Sequence, residues 1–375
     1  MPAVLKKCAV FFKKETVLCV AVLLALLSMF FVPPSAAYAA YIDWNTLALL
    51  FSLMAVIKGF QKAGLFVFLG NHLLQKTVNT RQMLFVLVFS PFLFSMLITN
   101  DVSLITFVPF GLIVLRMAGQ EKLITPLVVM QTIAANLGSM LTPMGNPQNL
   151  YLYTKFQLSF WALCGLMAPY VLLSAVCLAL MILLRKSVPV SVAPVSVRLA
   201  SAKELICCAA GFALCLLAIF KVIPALAVVA VLVVFLLFAN RRLLAEVDYA
   251  LLGTFLAFFI FVGNMGSIGG FKDFLASILS EHVELVSVLA SQVISNVPAV
   301  LLLSGFTDQW QALAVGCNIG GLGTLIASMA SLISYKFVTK EYPEERRRYL
   351  VQFTLWNILL LAFFLLVSVF HLGTL

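Results

Sequence analysis

Between residues 135 and 150 the chain reads ANLGSMLTPMGNPQNL, which places the side chains of Asn136, Ser139, Thr142, Asn146, Gln148 and Asn149 between two strongly apolar runs. These amides and hydroxyls offer hydrogen-bond donors and acceptors where lipid can satisfy none. Gly138, Pro143, Gly145 and Pro147 interrupt the helical hydrogen-bond ladder in the same stretch. A polar, broken segment survives at membrane depth only where it lines a cavity; the alternative is an extramembrane loop between two helices. A second copy decides between them. NIGGLGT at 318–324 aligns without gaps on NLGSMLT at 136–142, so that Asn318 stands for Asn136, Gly320 for Gly138 and Thr324 for Thr142.

Two further pairs precede these in the same order. Thr99, Asn100 and Asp101 lie before the first break, and Ser295, Asn296 and Val297 before the second. DWNTLALLF from Asp43 matches DYALLGTFL from Asp248. Three weak similarities in one order make an internal repeat, and paired interrupted hydrophobic segments in two halves point to a binding site of the secondary-transporter kind.

The elements that must hold these residues are membrane helices. At 63% apolar and 10% charged residues the chain is not a soluble domain, whose charged fraction is ~25%. The net charge of +10 does not imply nucleic acid as a partner, because the basic residues sit in short tracts between apolar runs, where they set orientation. The partners expected are the lipid bilayer and a small-molecule or ionic solute. No phosphate-binding loop, HExxH or Ser/His/Asp grouping occurs, so the chain reads as neither an enzyme nor a nucleotide binder, and no cofactor is expected beyond a coupling ion, Na+ or H+. The eight cysteines lack CxxC or Cys/His spacing and read as small packing residues.

The pattern predicts an all-α polytopic membrane protein built as two inverted repeats, with two re-entrant hairpins and two broken helices. The first repeat covers 1–184: a helix, a second helix, a hairpin at 82–117, a broken helix at 122–156 and a full helix. Residues 185–221 form a linker and connector helix. The second repeat, 222–375, has the same order, with its hairpin at 284–306 and its broken helix at 309–337. Length alone leaves the first hairpin open between a re-entrant pair and two spans; the limbs of the second are too short to cross a ~30 Å core, and that decides for re-entry. Counting each broken helix once gives nine crossings. The apolar run near the N-terminus, followed by AYA, also resembles a signal peptide; as the partner of 222–239 it is expected to remain as the first helix.

With the N-terminus in the cytoplasm, only Lys155, Lys221 and Lys272 of the 24 lysines and arginines fall outside. The positive-inside rule therefore predicts an inner-membrane, multi-pass protein with a cytoplasmic N-terminus and an extracytoplasmic C-terminus. It also inverts the second repeat relative to the first, bringing the two hairpin tips toward one another.

Of the fourteen acidic residues only Asp101 falls within an apolar run by this reading. It either caps the helix that follows, serves an ion site, or does both. No lysine or arginine lies between Arg81 and Arg116, between Lys272 and Lys336, or within 123–154. An anion would therefore be held by helix N-termini, backbone N–H groups and Asn, Ser or Thr side chains, approached closely at Gly145, Gly320, Gly321 and Gly323. Carbonyl ends freed at the breaks suit sodium, expected at backbone oxygens near Asn100, Asn136, Asn296 and Asn318.

As a set, DWNTLALLF, TND, ANLGSMLTPMGNPQNL, SNVPAVLLL and NIGGLGT resemble the ion transporter superfamily, from about residue 40 onward. That superfamily holds bacterial arsenite pumps, one class of Na+/H+ antiporters, and citrate and dicarboxylate/sodium symporters. The resemblance implies secondary transport by a homodimer, with an elevator-like motion of hairpins and broken helices against a scaffold. It places substrate and coupling ion at Thr99, Asn100, Asn136, Gly138, Thr142, Ser295, Asn296, Asn318 and Thr324. Dicarboxylate symporters carry SNT at both tips, whereas TND here is closer to the arsenite-pump branch. The function expected is ion-coupled transport of small anions such as carboxylates or oxyanions; a cation/proton antiporter of the same fold is the alternative.

Overall fold

The computed structural model of the chain describes residues 15–190, 195 and 198–373. Lys6, Lys7, Lys13 and Lys14, four cations of the orientation tally, lie outside the described residues, as does part of the Ser/Val/Pro linker. Among the described residues there are helices and no strand beyond one isolated bridge, Asn79 to Pro189.

The first half runs α1 Thr16–Ser28, α2 Tyr38–Tyr41, α3 Trp44–Lys62, α4 Leu65–Leu74, α5 Thr80–Phe94, α6 Asn100–Met117, α7 Ile124–Gly138, α8 Pro147–Lys155 and α9 Phe160–Leu183. After the linker come α10 Ala202–Ile219, α11 Ala225–Ala239, α12 Arg241–Leu244, α13 Tyr249–Gly266, α14 Gly269–Ile294, α15 Asn296–Leu303, α16 Trp310–Ile319, α17 Met329–Glu341 and α18 Arg346–Leu372. Five of the described helices are each long and apolar enough to cross a membrane, namely α6, α9, α10, α13 and α18, the last counted with the turn before it. The number rises to seven when the bent pair α3–α4 and the two limbs of α14 each count as one span. The chain is an all-α polytopic membrane protein.

Local chemistry sets the boundaries. Asp43 accepts from the Thr46 N–H at 3.0 Å and Asp248 from the Leu251 N–H at 2.9 Å, so the two matching DW and DY sequences open α3 and α13 with the same cap. Asn79, Ser159 and Ser201 cap α5, α9 and α10 in the same way. Within α14 the chain turns by 108° near His282, so its first part lies across the direction of its second. The eight residues of α15 reach only about 12 Å, well short of a ~30 Å hydrocarbon core.

A proline inside a helix leaves the carbonyl four residues earlier without its donor. Pro91 does this to Leu87, and the buried Gln131 of α7 repairs it: its Nε2 donates to the Leu87 carbonyl at 2.9 Å and to the Phe107 carbonyl at 3.0 Å. One amide thus ties α7 to both limbs of the first hairpin. An unpaired buried carbonyl would cost about 1–3 kcal/mol.

Every residue of α7 is buried, and this helix is the centre of the core. It packs on α5, α6, α9, α17 and α18. Around it, elements of the two halves pair reciprocally: α1 lies on α13 and α11 on α3, while α8 runs beside α15 and α17 beside α6. By contrast α10 and α11 turn apolar residues outward, with Ile206 67% and Phe238 89% exposed, as suits a lipid-facing surface.

The ordered part of the linker lies against the start of α5. The Thr80 N–H donates to the Val188 carbonyl at 2.9 Å, and the Arg81 Nε donates to the Arg185 carbonyl at 2.7 Å. The basic residues of 58–81 and 185–203 therefore gather at one end of the bundle. At another place Lys221 donates to the Leu158 carbonyl at 3.0 Å, close to Tyr153 near the end of α8.

Candidate functional site

The two broken helices part and resume at matching positions. α7 ends at Gly138 and α8 resumes at Pro147; α16 ends at Ile319 and α17 resumes at Met329. The register that puts Asn318 opposite Asn136 also puts Asn149 opposite Ser331 and Asn146 opposite Ser328. Side chains cross between the breaks at these positions. The Asn136 Oδ1 accepts from the Ser328 Oγ at 3.0 Å, and its Nδ2 donates to the Ser331 Oγ at 3.4 Å. The Asn318 Nδ2 donates to the Asn149 Oδ1 at 2.7 Å, and its Oδ1 accepts from the Gln148 Nε2 at 3.4 Å. The last turn of each first half-helix is thus bonded to the first turn of the other break's second half-helix. Asn136 and Asn318 are only 4% and 2% exposed.

The hairpin tips join this cluster. At the first tip the Asn100 Nδ2 donates to the Asn136 Oδ1 at 3.1 Å, and its Oδ1 accepts from the Asp101 N–H at 2.9 Å. At the second, the Asn296 Oδ1 accepts from the Val297 N–H at 2.9 Å, and the Asn296 N–H donates to the Ala327 carbonyl at 3.0 Å. Ala327 precedes Ser328, so a chain of contacts runs from Asn100 through Asn136 and Ser328 to Asn296. Thr99 and Ser295 occupy the positions just before α6 and α15; Ser295 has φ 73° and its Oγ reaches Ala327 at 3.5 Å.

Asp101 does not cap the helix: the N-cap position is Thr99, which makes no side-chain cap bond. α6 begins at Asn100 rather than at 102, and the carboxylate of Asp101 accepts no hydrogen bond from the described residues. Its charged neighbour is the carboxylate of Asp248. Asp101 is part-buried, and a second acid lies deeper. Glu284, at the start of the second hairpin's first limb, is 7% exposed, because the bend near His282 turns that limb into the core.

Several of the expected residues hold the breaks in shape. The Thr142 Oγ1 bonds the Met96 carbonyl and accepts from the Gly145 N–H at 3.2 Å; the Thr324 Oγ1 bonds the Gln292 carbonyl at 3.2 Å and accepts from the Ala327 N–H, also at 3.2 Å. Ser139 accepts from the Asn146 Nδ2 at 2.6 Å. The space beside the glycines is occupied by protein. A Cβ at Gly138 would lie 2.1 Å from the Phe92 carbonyl, at Gly145 2.2 Å from the Ser139 carbonyl, and at Gly320 2.6 Å from the Gly316 carbonyl. Gly321 faces Asn296, and Gly323 combines φ +101° with a Cβ position 2.3 Å from the Gln292 Oε1. These glycines let the breaks press against the hairpins and their own chain.

Three residues central to this arrangement escaped the sequence reading. Ser328 and Ser331 could have been found by extending the alignment of the two breaks past residue 324. Gln292 has no counterpart, since Met96 stands in its place. Its Nε2 donates to the carbonyls of Gly320 at 2.8 Å and Leu322 at 3.0 Å, and its Oε1 accepts from the Thr324 N–H at 2.9 Å. In the first break a comparable task falls to Asn149, whose Nδ2 donates to the Met140 carbonyl at 3.0 Å. Gln148 retains a buried Oε1 without a partner among the described residues.

The CitMHS profile, described as citrate transporter, matches residues 8–308. The chain belongs to this citrate transporter family. It is 32% identical over 315 residues to an inner membrane protein of Escherichia coli, covering 82% of this chain and 83% of that one. It is 30% identical over 296 residues to an uncharacterized transporter of Methanocaldococcus jannaschii, covering 79% and 81%. A silicon efflux transporter of Oryza sativa subsp. japonica is 35% identical over 125 residues, 33% of this chain and 25% of that protein. The chain is therefore a membrane transporter and not an enzyme.

For this citrate transporter family member, Gln292→Leu is expected to open the second break. The side chain serves three backbone groups there, so hydrogen exchange at the Thr324 amide should rise at least tenfold, while the first break near Gly145 stays protected. Unchanged protection at Thr324 would remove Gln292 from this role.

Proposed function

We propose that the chain is an ion-coupled secondary active transporter of small anions such as carboxylates or oxyanions, working as a homodimer by elevator-type alternating access. The observation that carries this reading is the reciprocal bonding of the breaks, with Asn136 bonded to Ser328 and Ser331, and Asn318 bonded to Asn149. It sets two similar half-helix junctions face to face, the arrangement expected where inverted repeats meet around a midplane site. The site has amides, hydroxyls and helix starts but no lysine or arginine, so an anion is held by the N-termini of α6, α8 and α17 and by Asn side chains. That inventory favours a compact solute of low charge over a tricarboxylate. The relative named for silicon efflux and the arsenite-pump likeness of TND lean the same way. Sodium, where it couples, is held by carbonyl oxygens freed near Asn100, Asn136, Asn296 and Asn318, and Gln148 Oε1 offers a further acceptor. Asp101 supports the second reading, a cation/proton antiporter of the same fold, because its carboxylate has no hydrogen-bond partner among the described residues.

Asn136→Ala and Asn318→Ala are each expected to abolish uptake into proteoliposomes while leaving expression and dimer formation intact. Wild-type uptake by either variant would sink the symmetric site. Asp101→Asn keeps volume and an amide oxygen but removes the ionisable group. It is expected to lose accumulation driven by a pH or sodium gradient while retaining solute exchange. Full ion dependence in that variant would remove Asp101 from coupling and leave the amide site standing.

In this reading the chain lies in the cell's inner membrane with the basic end of the bundle in the cytoplasm. Val188 is 44% exposed on the linker at that end. Val188→Cys is expected to react with a membrane-impermeant maleimide only when the cytoplasmic face is opened, and labelling from intact cells would reverse the topology.

A further inference from the structure

A crevice of 590 Å³ lies away from the broken helices, between α3, α10 and α11. That volume is in the range of small-molecule sites, about 300–1,000 Å³. α10 and α11 are joined by a short turn at 220–224, and both pack on α3. They line the crevice only with the halves remote from that turn, Lys203 to Gly211 on α10 and Leu232 to Ala239 on α11, so it is a wedge that widens toward the linker end of the bundle. Its floor is apolar and built of small side chains, among them Ala55 and Gly59 of α3 and Gly211 of α10, all buried. At its mouth stand Lys62, Lys203 and Asn240, followed in sequence by the exposed Arg241 and Arg242. Glu204 is the acidic residue of the lining, and Glu246, outside it, is held by Lys62.

We propose that this wedge is a binding site for an anionic phospholipid, with an acyl chain on the floor and the phosphate among Lys203, Arg241 and Arg242. Two observations select this occupant. An apolar floor gives a soluble ion or metabolite nothing to bind, whereas hydrocarbon fills it without leaving a polar group unpaired. Lys203 lines the mouth and the exposed Arg241 and Arg242 follow Asn240 of its rim, whereas Lys62 is already paired with Glu246 and Glu204 is the carboxylate of the lining. This cationic surplus complements a negative headgroup and repels a second copy of this chain, whose basic residues crowd the same end. Because the wedge includes none of Asn100, Asn136, Asn296 or Asn318, the proposal stands independently of the transported solute.

The test uses the purified full-length protein in detergent, with phosphatidylglycerol, phosphatidylcholine and soluble glycerol phosphate as probes and native mass spectrometry as the readout. Phosphatidylglycerol is expected to bind in preference to phosphatidylcholine, with no competition from glycerol phosphate. Each basic residue near an anionic headgroup is worth about fivefold in affinity, so Lys203→Gln should weaken phosphatidylglycerol by about that factor, and Lys203→Glu by more. Ala239→Trp fills the wedge from an exposed position and should abolish the preference without loss of fold. Lys340→Gln, a basic residue outside the wedge, should leave it unchanged. The proposal is overturned if the two lipids bind equally, if glycerol phosphate competes, or if Lys203→Gln and Ala239→Trp both bind phosphatidylglycerol as the unaltered protein does.

Discussion

In hydrocarbon every backbone N–H and C=O must find its partner within the protein, and two interrupted helices are two standing debts against that rule. The structure meets them with side chains brought from elsewhere. Gln292 of the second hairpin serves Gly320, Leu322 and Thr324, Asn149 serves Met140, and Thr142 and Thr324 fasten each break to its own hairpin. Gln131 does the same for the carbonyl that Pro91 orphans. Without these amides the open backbone groups would stand unpaired or draw water in. The packing of α7 at the centre, the close approach of the hairpins and the need for glycine at 138, 145, 320 and 323 follow from holding open backbone in a dry interior.

Much of this was legible in the sequence because the relevant patterns are local. Glycine, proline and amides inside an apolar run announce a break, and Asp before an aromatic and an apolar run announces a capped helix; both breaks and both caps stand where those signals put them. What was not legible depends on where distant residues meet. Gln292 looks like any polar residue on a helix until its carbonyl partners come beside it. Glu284 looks like a helix-end charge until the turn near His282 points its limb inward. The helical stretch across 269–280 carries lysine, aspartate and glycines in a short sequence, and no periodicity separates it from a loop.

The two halves match in skeleton but not in chemistry. Asp101 occupies the place of Val297, Met96 that of Gln292, and Gln148 that of Ala330. The two sides of the centre therefore differ: the first hairpin tip carries an ionisable group, and the second break is braced by Gln292. The two faces are chemically unlike, although the half-helix junctions that build them are equivalent in position.

The bonds between the breaks also bear on how the protein is made. Asn136 meets Ser328 and Ser331 across 192 and 195 residues of sequence. At about 5–20 residues per second, a ribosome needs roughly 10–40 s to supply them after Asn136 has been added. Throughout that interval the first break has no second break to bond to, and the first half cannot reach its final form by itself. Membrane insertion of this chain must therefore tolerate a long-lived intermediate with polar side chains, Asn136 among them, awaiting their partners, sheltered by the insertion machinery or by water.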